Sequence, residues 1–161
     1  MDNKEYIQLK NDDILRLWIR DNNGKETGEC LEFDLEDIEL PLKMQDMLEK
    51  EEKNRAYIKG EVLRIQKQTD KKGKKLFSAN QEQEIKAVNN FFKKEIEIYN
   101  MFLGENGVQK LLNGRKFGWT TLKEIDTLIE KQIAPKLNVT QDNITKKIKE
   151  KYGIHKSDVI E

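Results

Sequence analysis

The chain has 161 residues, and its 30 basic and 30 acidic side chains cancel, with charged residues at 37% and hydrophobic ones at 36%. That length fits one domain able to bury a core without disulfide or metal staples, and zero net charge exerts no general pull on a polyanionic partner. The single cysteine, Cys30, leaves no internal disulfide, no second thiol for redox chemistry and no cysteine-rich zinc site.

The opening MDNKEYIQLK has no hydrophobic signal core and no long apolar run follows it, so a cytoplasmic protein that does not span a membrane is expected. Two prolines and nine glycines leave few breaks, and nothing repeats at a fixed period. The expectation is a mainly α protein, with an N-terminal β-hairpin leading into a bundle of about four to five helices. A single domain covers 1–161, comprising the hairpin at 14–35, a helical region at 38–152 and a frayed tail at 153–161.

Over Ile14 to Arg20, Leu15, Leu17 and Ile19 alternate with Arg16, Trp18 and Arg20 in the period of a half-buried strand. Asp21-Asn22-Asn23-Gly24 is a turn cluster, and alternation resumes from Cys30 to Leu35 with Leu31, Phe33 and Leu35 apolar. Trp18 falls on the face opposite the leucines, so either it is covered from outside or its indole is offered to a partner. Two strands alone are marginal in water, and the apolar face must therefore pack on helices or on another chain.

Asp37 as a cap and Pro41 in the first turn predict a long first helix with no breaker before Gly60. Its apolar residues cluster at the two ends, around Leu40, Met44, Met47 and Leu48 and around Ile58, Val62 and Ile65. The polar run from Glu49 to Arg55 between them predicts a middle with little to bury. About 30 residues would extend roughly 45 Å, so part of the helix is expected to project or bend. Met44 and Met47 are candidate contact residues, because a flexible thioether adapts to varied partner surfaces. TDKKGKK at 69–75 reads as a solvated loop.

Ser78 with Gln81 matches a capping box and opens a second helix, whose stripe of Ile85, Val88, Phe92, Ile96, Tyr99 and Leu103 is broad enough for the core. A short piece from Val108 to Leu112 ends at Asn113-Gly114, which offers a left-handed cap. Thr121 with Glu124 suggests another capping box, for a helix running to Pro135 with Leu122, Ile125, Leu128, Ile129 and Ile133 on one face. A last helix is expected over about Gln141 to Tyr152. Trp119, just before the Thr121 cap, reads as a plug at the end of a helix pair.

Catalysis needs convergent groups in a pocket, and the sequence offers few. His155 is the only histidine and sits in the polar tail; the phosphate-cradling and dinucleotide glycine motifs and the H-E-x-x-H zinc motif are all missing. No enzyme activity, metal or cofactor is expected. The clusters Lys71, Lys72, Lys74, Lys75 and Lys146, Lys147, Lys149, Lys151 lack interleaved aromatics in a neutral chain, so no specific nucleic-acid binding is expected. The reading left is a protein that grips other proteins.

Two segments carry a family resemblance. LRLWIRDNNGKETGECLEFDLEDIELPLKM, a hairpin running into an acidic turn and then helix, resembles the start of tail assembly chaperones of long-tailed bacteriophages of Gram-positive hosts and their prophages. IEIYNMFLGENGVQKLLNG resembles the aromatic helix, glycine-acidic turn and short amphipathic piece of the same family; together the two cover about a third of the chain.

The resemblance implies an accessory protein that binds and solubilises the tape measure protein in the host cytoplasm during tail morphogenesis and is absent from the mature virion. It implies contact with the tail tube protein through a longer frameshifted product, and self-association, for which an open hairpin edge offers a route. The implied contact regions are Phe102, Leu103 and Gly104 at the turn and the hairpin bearing Trp18. Two alternatives are a minor structural or head-tail connector protein, which would persist in virions, and a small DNA-binding regulator, which would use a lysine cluster.

Overall fold

The computed structural model describes residues 3–152; the tail expected to fray and His155 lie outside them. The fold is mainly helical behind an N-terminal hairpin. Strand β1 (Ile14–Arg20) pairs antiparallel with β2 (Glu26–Asp34), with Leu15 opposite Phe33, Leu17 opposite Leu31 and Trp18 opposite Cys30. The turn is fixed by the Asp21 carboxylate, which accepts the N–H groups of Asn23 and Lys25 at 2.9 Å each, and by Gly24 at φ +80°. The register shifts between Trp18 and Arg20, a bulge that twists the ribbon next to the turn.

Helix α1 (Leu40–Gln66) and helix α2 (Ala79–Leu103) form an antiparallel pair. Links from Lys50 to Met101, Glu51 to Tyr99 and Asn54 to Phe91 climb one helix while descending the other, and Asn80 at the start of α2 bonds the Gln68 carbonyl just past the end of α1. Asp37 does not cap α1 as expected. Glu39 occupies that position with no side-chain cap bond, and Asp37 organises the turn before it, its carboxylate accepting the Glu39 N–H at 3.0 Å and its carbonyl the Leu40 N–H at 3.1 Å. Gly60 does not interrupt α1, because a glycine inside a helix costs only about 1 kcal/mol against alanine. At the far end Ile65 is buried apart from the main core, where the Ser78–Gln81 capping box opens α2 as expected.

Gly104, at φ +99°, ends α2, and helix α3 (Gly107–Leu112) follows until Asn113 and Gly114 turn left-handed at φ +45° and +84°. Helix α4 (Trp119–Leu128) then starts two residues before Thr121, which is not its cap. The Thr121 hydroxyl works backwards, accepting the Gly118 N–H at 2.7 Å and donating to the Gly118 carbonyl at 2.9 Å, while Glu124 faces Arg115 at 3.6 Å.

Pro135 does not end this helix either. A π-helical turn (Ile129–Ile133), in which the Ala134 N–H reaches back to the Ile129 carbonyl, leads directly into α5 (Ala134–Tyr152). The widened turn absorbs the donor and the space that proline denies an α-helix.

The core lies where the hairpin meets the C-terminal half of α2 and the helices beyond. Leu31 and Phe33 of β2, Ile19 of β1, Met47 of α1, Ile98, Tyr99, Phe102 and Leu103 of α2, Val108 of α3, Ile125 of α4 and Ile133 and Leu137 beyond it are all buried in one cluster. Phe33 and Phe102 stack with ring centroids 5.4 Å apart, joining sheet to helix.

Candidate functional site

The hairpin presents two faces of opposite character. Leu15, Leu17, Leu31 and Phe33 turn inward, whereas Trp18 on the outer face is 68% exposed. Beside Trp18 a groove of about 400 Å³ separates β1 from α3 and α4. Its apolar lining comes from Leu17, Leu31, Leu111, Ile125 and Leu128, and its rim carries Arg20, Asp21, Arg115 and Glu124. Alternation in β1 directs the indole outward, and the i, i+3 step from Ile125 to Leu128 turns two apolar residues of α4 toward the strand. The result is a groove of mixed character, in which apolar side chains alternate with amide ones and charged ones of both signs, suited to an amphipathic segment of another protein.

Several candidates named from the sequence are displaced by the structure. Met47 has no exposed surface, and Phe102 and Leu103 are buried at 5% and 4% exposure, so these three belong to the core and not to a contact surface. The inward face of α1 carries Met47, and the last turn of α2 faces the hairpin, so each finds its apolar partners within the chain. Met44 is half-buried against the core. Gly104 is exposed, and its role is conformational, its positive φ releasing the chain from α2 into the turn before α3. Of the six candidates, Trp18 alone adjoins a groove with an exposed ring.

Trp119 is the first residue of α4, more than half exposed, with its ring centroid 4.8 Å from that of Phe92 and 5.9 Å from that of Phe91. It anchors the start of α4 to α2, as the plug reading anticipated, while leaving one face open. The N-terminal segment adds exposed Tyr6, Ile7 and Leu9.

A second site was not anticipated. The polar middle of α1, expected to bury little, carries a charged network into the seam between α1, α2 and α4. Glu51 is buried and accepts from Arg55; the Tyr99 hydroxyl lies 2.6 Å from Glu51 Oε1 and also hydrogen-bonds Asp126; Arg55 Nη2 is 2.6 Å from Asp126 Oδ2. Glu95 has no exposed surface. Its Oε1 lies 3.4 Å from Asn54 Nδ2 and 4.0 Å from Arg55 Nε, and its Oε2 has no hydrogen-bond partner among the described residues.

Burial pushes the Glu95 carboxyl up to about 7, with the neighbouring Glu51 charge adding to the effect. Glu51 is raised for the same first reason, although its hydrogen bond from Tyr99 opposes the shift. Burial also raises the Tyr99 hydroxyl, reinforced by its bonds to Asp126 and Glu51. For Arg55 burial acts downward, and the Asp126 hydrogen bond and the Glu51 charge more than reverse it.

The sequence held a signal for this network. Glu95 sits within the three- and four-residue stripe of Phe91, Phe92, Ile98, Tyr99 and Phe102, and Glu51 with Arg55 and Glu95 with Tyr99 are each four apart, on one helix face. A carboxylate in an apolar stripe is buried with partners or not at all.

Among the described residues no group of three or more histidine, cysteine, aspartate or glutamate side chains is placed to hold a metal ion. Likewise no described helix is long and apolar enough to cross a membrane. Comparison of the chain with protein-family models, with curated proteins and with solved structures finds no match.

Proposed function

We propose that this protein is a tail assembly chaperone of a long-tailed phage or prophage, which binds the tape measure protein in the host cytoplasm, keeps it soluble while the tail assembles, and is absent from the finished virion. The observation that carries the reading is the exposed Trp18 ring beside a groove of mixed apolar and charged lining formed jointly by the hairpin and α4. A long helical partner exposes apolar stripes flanked by charges until it is packed into a tube, and an exposed aromatic anchor beside a groove with both apolar and charged residues suits such an amphipathic face. The resemblance of the hairpin segment and of the α2–α3 turn to that family points the same way. The tail tube protein is the expected second partner, reached through a longer product.

The test is co-expression with the tape measure protein of the same operon. The partner should be soluble with the intact chain, and aggregated both without it and with Trp18→Ala. A partner equally soluble without the chain removes the chaperone reading. Recovery of the protein in purified virions would favour a head-tail connector or minor structural protein instead.

A further inference from the structure

We infer that the network on the α1–α2–α4 seam is a proton-operated clamp: it holds α4 on the α1–α2 pair while Glu95 carries a proton, and loosens when Glu95 loses it. The basis is a charge count in a closed space. Three carboxyl groups, those of Glu51, Glu95 and Asp126, face one guanidinium, that of Arg55. Fully ionised, the site would hold an excess of negative charge with two of its carboxylates buried, an arrangement proteins resolve by protonation.

Geometry locates the proton. Glu95 Oε2 has no hydrogen-bond partner among the described residues, a position far more costly for a buried carboxylate than for a neutral carboxyl group.

The groups facing Glu95 are Asn54, Arg55 and Glu51 from α1 and Asp126 from α4, with Tyr99 one turn along α2. The nearby Lys50 is turned to Asp46 at 3.0 Å, and Lys94 to Glu97 at 3.5 Å, so neither neutralises the site.

The direction of the effect follows from linkage. A Glu95 carboxyl raised to about 7 in the fold, against an unfolded value near 4.5, binds more protons folded than unfolded between those limits. Its contribution to stability is therefore whole below about pH 4.5 and is lost as pH rises through about 7. Loss of the proton places a third negative charge against Glu51 and Asp126, and the seam gives first at α4, which meets the network through Asp126 alone.

Thermal unfolding of the full chain at constant ionic strength, from about pH 5 to about pH 8, is the test. The melting temperature should fall by roughly 5–10 °C across that range. Glu95→Gln, which keeps the shape and cannot ionise, should flatten the profile and melt above the native protein at the alkaline end. Deuterium exchange of α4 amides, corrected for the intrinsic rate, should accelerate with pH in the native protein and not in the variant. A native profile that does not fall, or a variant that keeps the native slope, overturns the clamp. Should Glu95→Gln fail to fold, a carboxyl carbon NMR titration of the native chain decides: a Glu95 midpoint near the ordinary 4.5 overturns it, and one near 7 supports it.

Discussion

The Tyr99 hydroxyl approaches Glu51 Oε1 to 2.6 Å from the facing helix and touches Asp126 of α4 as well, so one phenol ties three helices together. It does so at the point of α1 where the sequence looks least suited to burial. Breaking a buried hydrogen bond by removing one partner costs the desolvation of what is left behind, which exceeds the modest net gain of the bond itself.

Tyr99→Phe is accordingly expected to destabilise the protein by about 1–3 kcal/mol, although the ring and its packing are kept. Urea unfolding followed by circular dichroism measures this. Arg55 would then stand alone between Glu51 and Asp126. An unchanged urea midpoint would remove Tyr99 from the list of stabilising contacts.

Met47→Ala and Phe102→Ala test the placement of both side chains in the core. Each should lower stability by about 2–5 kcal/mol through lost burial and a residual cavity. Trp18→Ala, at an exposed position, should change stability by no more than about 0.5 kcal/mol. If Phe102→Ala left the urea midpoint unmoved, the stacking of Phe33 on Phe102 could not be the joint between hairpin and helix.

Two glycines should respond with opposite signs. A Cβ at Gly60, in mid-α1, would meet nothing within 4 Å, so Gly60→Ala should stabilise by about 0.5–1 kcal/mol through the helix backbone alone. At Gly107 the same atom would fall 2.7 Å from the Leu103 Cβ and 3.7 Å from Leu31 Cδ2. Gly107→Ala should therefore cost about 1–3 kcal/mol, since the 2.7 Å clash is with a Cβ fixed to the α2 backbone and not with a flexible side-chain end. Melting temperatures of the two variants, moving in opposite directions, check the pair.

What could be read from the residues alone was whatever closes on itself within a few positions. The alternation of Leu15, Leu17 and Ile19 with Arg16 and Trp18, the Asp21–Gly24 turn, the Ser78–Gln81 cap and the Asn113–Gly114 stop are local hydrogen-bonding and steric choices, and each stands in the fold where its residues put it. Tertiary structure decided the rest, because the deciding partners are far apart in the chain. Pro135 signals a helix end locally, yet the π turn before it carries the helix through. Met47 and Phe102 could have faced outward until the hairpin and α2 closed over them. The run from Glu49 to Arg55 reads as solvated because its charges find partners only when α2 and α4 arrive, 48 residues on for Glu51 with Tyr99 and 71 for Arg55 with Asp126. Helical period and capping act over one or two turns of chain, whereas the fate of a charge depends on which side chains share its space.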